Sequence, residues 1–412
     1  MNIWCISKYA SIPRYGAAAR LYYLAREFVK SNGQVVLLTS DANHLCQYPS
    51  TNDRYNYVKE EGVDICWIKT LKYEKTASIK RVASWFDFEF KLFAMDKNRF
   101  NSPDVVIVSS LSLLSIIYGY YLKNKYNAKL VFEIRDIWPL TLIEEGGFSN
   151  KHPLSILLGI IEKFGYRKAD LIVGTMPRLD LHVEEVLGYK KEVFCSPIGI
   201  DHTELDSAER SVPDIEHLFP KNKTIVGYAG SMGISNNLDT YIDTIEHYKY
   251  REDVHFVLVG SGDLKSKFMK RLDKNNNVTF VPKIKQSEVQ YFLSMCDLLY
   301  LSTHDSKVWR YGQSMNKVVQ YMLSGKPIIA SYNGAHSMID EASCGVYIPC
   351  NDMKELKTAL DYFCDKTDEQ RSEIGSRGRK WILKNRVYDV LADNYLKEIH
   401  KIKGGEHGKK NF

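Results

Sequence analysis

The chain has 412 residues, enough for two domains of roughly 150–200 residues each. It is 44% hydrophobic and 26% charged, with 12 Pro and 25 Gly, which excludes a disordered, collagenous or low-complexity protein. The formal net charge is +6, with 26 Lys/Arg against 21 Asp/Glu in residues 1–200 and 30 against 29 in the remainder, so the broad basic face of a nucleic-acid binder is missing.

The opening run, MNIWCISKYA, is strand-like and lacks the charged start and cleavage site of a signal peptide. Strands are expected at Asn2–Ser7, Gln34–Thr39, Val63–Ile68, Val105–Val108, Lys129–Glu133, Leu171–Val173 and Val193–Cys195. Helical patterns fall between them, notably 17–31, which stops at Asn32-Gly33. Residues 69–81 hold five basic side chains to one acidic and lead into an aromatic helix with Trp85, Phe86, Phe90 and Phe93. That pairing suits either docking on anionic lipid or an ordinary solvated helix with a buried aromatic face. The stretch 105–122 approaches membrane-spanning length, but it reads as a buried strand followed by serines that open a helix.

A polar, Pro-containing break over 197–222 separates this half from a second one. There strands are expected at Thr224–Tyr228, His255–Val259, Val278–Val281, Leu298–Leu301, Pro327–Ala330 and Gly345–Tyr347, with helices at 237–248, 263–273, 286–295, 315–324 and 353–364. The last segment, 366–402, reads as helical, with 386–402 a C-terminal helix returning to the first domain, and 403–412 reads as a flexible tail. Short apolar runs alternating with helices predict an α/β protein of two Rossmann-like domains with parallel sheets, 1–200 and 223–385. Ligands of such sheets bind beyond the carboxyl ends of the strands, in the cleft the two domains are expected to face. The eight cysteines form no Cys-x-x-Cys pair, so neither a zinc site nor a disulfide framework is expected, and a reducing cytosol is the simplest setting.

Four loops after strands stand out. Gly16 lets backbone approach a ligand at a helix entrance. Glu133, Arg135 and Asp136 cluster at a strand end and are expected to be exposed there. Gly230, Ser231 and Gly233 form a turn with free backbone amides suited to phosphate. The stretch Arg310-Tyr311-Gly312-Gln313-Ser314-Met315-Asn316-Lys317 reads as a flexible loop in which Ser314 or Asn316 caps a helix carrying Lys317, Gln320 and Tyr321. A lysine in a first helical turn is a good diphosphate site.

Further runs fit one pattern: Phe132-Glu-Ile-Arg-Asp-Ile-Trp-Pro139, Tyr166-Arg-Lys-Ala-Asp-Leu-Ile172, Ser196-Pro-Ile-Gly-Ile-Asp201, Val226-Gly-Tyr-Ala-Gly-Ser-Met-Gly233, Phe256-Val-Leu-Val-Gly-Ser-Gly262 and Tyr321-Met-Leu-Ser-Gly-Lys-Pro-Ile-Ile329. In order and spacing the chain resembles the retaining glycosyltransferases of family 4, with the glycosyltransferase-B fold. The Arg-Asp-x-Trp-Pro and Asn-Lys runs are similar to the branch of N-acetyl-fucosamine transferases of bacterial O-antigen and capsule assembly.

The resemblance implies a nucleotide-diphosphate sugar donor on the second domain, its leaving phosphate offset by Lys317 and the Gly230–Ser231 amides, with Arg310 sharing that charge. It places the ribose near Gln320, the base near Lys283–Ile284 and the sugar near Tyr311. Glu133, Arg135 and Asp136 would face the sugar and the acceptor, a glycan or lipid-linked saccharide. No metal or other cofactor is implied. The family's Glu-x7-Glu pair is replaced by Gly312 and Gln320, and its basic pair after the Gly-rich strand by Ser231 and Asn236. The expected setting is cytoplasmic, with peripheral contact at the inner membrane face. A nucleotide-sugar epimerase on the same fold, or an inactive partner in a polysaccharide assembly complex, stays open beside the transferase.

Overall fold

The computed structural model describes residues 1–16, 19–43, 51–74, 78–203, 205 and 214–404. Lys75, residues 206–213 of the expected linker and residues 405–412 of the expected tail lie outside them. The chain divides into two compact units, Met1–Pro197 with Tyr388–Phe412, and Ile198–Val387.

The first unit is built on eight strands: β1 (Asn2–Ile6), β2 (Gln34–Ser40), β3 (Tyr55–Glu60), β4 (Val63–Ile68), β5 (Val105–Ser109), β6 (Lys129–Ile134), β7 (Leu171–Gly174) and β8 (Val193–Cys195). Their order is β3-β4-β2-β1-β5-β6-β7-β8. All pairs are parallel except β3 with β4. Runs such as Val105–Val108 are buried on both faces, which is why they read as continuous apolar stretches rather than alternating ones. The strand β3 has no counterpart in the sequence reading. It is a partly exposed edge of mixed residues, and a two-residue turn at Glu61–Gly62, both with positive φ, folds it back on β4.

The second unit has six strands, β9 (Thr224–Ala229), β10 (Val254–Val259), β11 (Val278–Val281), β12 (Leu298–Ser302), β13 (Ile328–Ser331) and β14 (Gly345–Ile348). They run parallel in the order β11-β10-β9-β12-β13-β14. The sheet's central strand, β9, thus ends where the Gly230 loop begins.

The helical segment expected over 366–402 is two helices, Asp368–Asn385 and Tyr388–Gly404. Thr367 starts the first with a capping box completed by Gln370. Between them the backbone is taken up elsewhere: the Arg386 carbonyl accepts the Ile200 amide at 2.8 Å, and Val387 forms a bridge with Ile200. The second helix belongs to the first unit. It packs on helix Arg20–Lys30, with Tyr388 stacked on Tyr23 at 4.9 Å between ring centroids and Tyr395 against Phe28 at 5.7 Å. The stretch 105–122 divides into β5 and the start of helix Ser115–Tyr126. Among the described residues no helix is long and apolar enough to cross a membrane.

Candidate functional site

In the second unit the helix Asn316–Leu323 follows β12 and packs against the end of β9. Lys317 and Tyr321 are one helical turn apart, hence on one face. The buried Tyr321 hydroxyl accepts the Ala229 amide at 2.8 Å and donates to the Ala229 carbonyl at 3.2 Å. That pair fixes the helix to the strand end and carries Lys317 to the next residue, Gly230. There the ammonium donates to Tyr228 Oη at 3.1 Å and Asn236 Oδ1 at 2.9 Å, and lies 4.5 Å from the centroid of the Tyr228 ring. Among the described residues it has no carboxylate partner. Burial alone lowers its pKa to about 8. A half-buried ammonium held only by neutral oxygens is a cation with room for a counter-charge from outside.

The surrounding backbone is narrow because side chains are absent. A Cβ on Gly230 would lie 2.7 Å from Lys317 Nζ, and one on Gly260 would lie 1.8 Å from the Gly230 carbonyl oxygen. The two loops are then laced together by Gly230 N–H to Val259 O and Met232 N–H to Ser261 O. Tyr228 Oη donates to the Ser231 carbonyl at 2.6 Å, while Ser231 itself is exposed.

The loop before the helix departs from expectation. Neither Ser314 nor Asn316 caps it: the cap position is Met315, which has no side-chain oxygen, so the first-turn amides carry no side-chain cap. Ser314 Oγ instead accepts the Ile198 amide at 3.0 Å, and the buried Gln313 donates to Tyr347 Oη at 2.9 Å. These bonds pin a loop that its glycine and small residues suggested was flexible. Gly312 keeps a positive φ of 93° at the turn. Tyr311 is buried beneath the exposed Arg310, whose guanidinium lies 4.9 Å from its ring. Asn316 is exposed, and the Gln320 carbonyl accepts Gln290 Nε2 at 2.9 Å. Lys283 is exposed after β11, the outer strand beyond β10. The structure therefore gathers Lys317, Gly230 and Asn236, and leaves Lys283 at the sheet's edge.

In the first unit Gly16 closes a short turn with φ 112°. Glu133, expected at the surface, is 0% exposed. The reason is pairing: Glu133 Oε2 meets Arg20 Nη2 at 3.0 Å and Oε1 accepts Ser109 Oγ at 2.8 Å. Burial would raise its pKa, but the Arg20 charge and hydrogen bond, the Arg135 charge and the Ser109 hydroxyl together hold it below the ordinary carboxylate range. Arg20 also donates to the Ser196 carbonyl and hydroxyl and to the Pro197 carbonyl, tying the last strand's exit to the first helix. Glu133 is thus a structural partner rather than an exposed group. Asp136 is half-buried with both oxygens engaged, Oδ2 by Trp138 Nε1 at 2.8 Å and Oδ1 by Thr141 Oγ1 at 2.7 Å. Arg135 is half-buried beside this cluster.

The sequence reading missed Tyr228 as a site residue, because a tyrosine inside an apolar strand reads as core; its place just before Ala-Gly was the available signal. It also missed Lys8, which is buried at the exit of β1, donates to the Ala42 carbonyl at 2.9 Å and is lowered to about 7 by burial. Of the basic residues at 69–81, Lys72 pairs with Asp41 at 2.6 Å, and Arg81 lies within 6 Å of the Tyr9, Trp85 and Trp138 rings. Among the described residues no group of three or more His, Cys, Asp or Glu could hold a metal ion.

Residues 223–366 match the family model of glycosyl transferases group 1. That span covers β9 through helix Met353–Cys364, hence the whole Lys317 cluster. Solved structures similar to the chain include sucrose-phosphate synthase from Thermosynechococcus elongatus, at 14% identity and a TM-score of 0.71 over 98% of this chain and 100% of that one. An E. coli trehalose-6-phosphate structure bound with UDP-2-fluoro glucose is 11% identical, with a TM-score of 0.71 over 97% and 98%. HepE of Anabaena in complex with UDP is 14% identical, with a TM-score of 0.66 over 97% and 100%. At these identities the shared feature is the fold, two α/β domains with mostly parallel sheets. No match is found among curated proteins.

Proposed function

We propose that this chain is a glycosyltransferase that takes a sugar from a nucleotide-diphosphate donor held on the second unit. The observation that carries this is Lys317, an ammonium without a carboxylate, set at the uncapped start of a helix against the Gly230 loop. Such a site offsets charge on a departing diphosphate by dipole and ammonium together. The family match over this segment, and the UDP and UDP-2-fluoro glucose bound in similar folds, support the same reading. Transfer breaks the bond from the anomeric carbon to the phosphate oxygen and forms one to an acceptor oxygen. We read it as retaining, the leaving phosphate oxygen taking the acceptor proton on the same face. The acceptor reading is a lipid-linked or growing surface polysaccharide of O-antigen or capsule type, presented by the first unit.

Contact with a membrane surface fits that acceptor. Helix Ile79–Ala94 buries Trp85 but leaves Ile79 88% exposed, Phe86 51%, Phe90 67% and Phe93 41%. Their spacing of seven, four and three puts them in one stripe, next to the exposed Lys80.

The test is release of nucleoside diphosphate from a panel of nucleotide sugars given saccharide and lipid-linked acceptors. The expected result is release that needs acceptor and falls about 10²-fold or more in Lys317→Ala. Undiminished release in that variant would contradict the reading, as would formation of an epimer with no diphosphate freed.

A further inference from the structure

In the first unit, one residue past β6, the Arg135 backbone is fixed from both sides. Its amide donates to Ser110 Oγ at 3.0 Å and its carbonyl accepts Thr175 Oγ1 at 3.3 Å. Its guanidinium is not matched: Nε and Nη1 are both buried and without a hydrogen-bond partner among the described residues. The nearby carboxylates are spent, Glu133 on Arg20 and Ser109, and Asp136 on Trp138 and Thr141. Arg20 and Arg135 thus face Glu133 and Asp136 with their charges in balance, yet neither Nε nor Nη1 of Arg135 has an acceptor among the described residues. Burial and the Arg20 charge hold Arg135 below the ordinary guanidinium value, against the pull of Glu133.

Unmet hydroxyls accompany it. Ser7, Ser11 and Ser112 each have a buried Oγ with no partner among the described residues. Ser7 and Ser11 follow β1 and Ser112 follows β5; the sheet order β1-β5-β6 sets those exits side by side with that of Arg135. A buried guanidinium with idle donors beside idle hydroxyls is a costly arrangement in an empty protein and a favourable one around an oxyanion.

We propose that Arg135 anchors an anionic group of phosphate class carried by the acceptor. The word acceptor rests on the transferase reading above; the anion site rests on the first unit alone. The test uses full-length chain with Lys317→Ala, so that the second-unit site is weakened, with and without Arg135→Gln or Arg135→Lys. Inorganic phosphate and a sugar phosphate are titrated by calorimetry and by thermal shift.

Arg135→Gln is expected to weaken phosphate binding about tenfold or more, with Arg135→Lys in between. Without phosphate, its melting temperature should equal or exceed that of the parent, because buried guanidinium donors without acceptors have gone. A sugar phosphate should bind more tightly than inorganic phosphate. Unchanged phosphate affinity in Arg135→Gln, a lowered melting temperature in phosphate-free buffer, or equal affinity for the two ligands would each overturn the proposal. In the chain with Lys317 intact, nucleoside diphosphate affinity should survive Arg135→Gln; its loss would assign the anion to the donor and overturn it too. Failure of nucleoside diphosphates to bind the unmodified chain would count against the transferase reading while leaving the phosphate result standing.

Discussion

Glu133 and Lys317 carry opposite charges in opposite circumstances. Glu133 is saturated by Arg20 and Ser109, so its removal leaves the buried Arg20 guanidinium without its carboxylate partner. Breaking such a pair costs about 3–5 kcal/mol. Glu133→Gln should show a loss of that order in urea unfolding, and an unchanged midpoint would contradict the pairing. Because its folded pKa lies below the unfolded value, the stability Glu133 supplies is present above ordinary carboxylate titration and fades as pH falls through the lowered value. Lys317 works the other way. Its pKa is lowered from 10.5 to about 8, so folding stability rises with pH between those values, while its capacity to hold an anion falls over the same window. Lys317 was legible as a candidate because a lysine in the first turn of a helix after a Gly-rich loop is a local pattern. The burial of Glu133 was not, since alternating charges at a strand end look alike whether they meet solvent or a distant Arg20.

At the scale of elements, helix Ile79–Ala94 shows how a sequence pattern divides between core and surface. Its aromatic residues allowed either a buried or a docking face, and the helix has both a buried and an exposed aromatic side. Trp85 donates to Tyr9 Oη at 2.7 Å and is buried, while the Phe86, Phe90 and Phe93 rings stand outward. The Phe86→Ser, Phe90→Ser double variant should lose most co-sedimentation with vesicles containing acidic phospholipid and keep its melting temperature. Equal co-sedimentation would remove the membrane contact from the account. Strands were legible to within a residue or two where they are buried on both faces, as in β5 and β12. The edge strand β3 was missed because half of its residues face water and it has no continuous apolar run. The last helix, expected from 386, starts at Tyr388 because Arg386 and Val387 are taken up by a backbone hydrogen bond and a bridge to Ile200, which lies 187 positions before Val387 in the chain.

For the molecule as a whole, the two-sheet α/β architecture followed from alternation of short apolar runs with helices, and the similar folds agree with it. Chain connectivity adds a constraint: the last helix returns to the first unit, so the second unit is an insertion closed at both ends, Ile198 and Val387. What neither composition nor periodicity could give was which polar groups remain unmatched after folding, and those decide the chemistry. Among them are Lys317 in the second unit, which has no carboxylate partner among the described residues, and Arg135 in the first, whose Nε and Nη1 have no hydrogen-bond partner among them.

The most direct test of the central claim is a calorimetric titration of nucleoside diphosphates into the unmodified chain and Lys317→Ala, at about pH 7 and about pH 9.5. The account predicts binding to the unmodified chain that weakens as pH rises through about 8, and binding to Lys317→Ala that is about tenfold or more weaker and flat across that range. Equal affinity in the two chains, or no change with pH in the unmodified one, would contradict it.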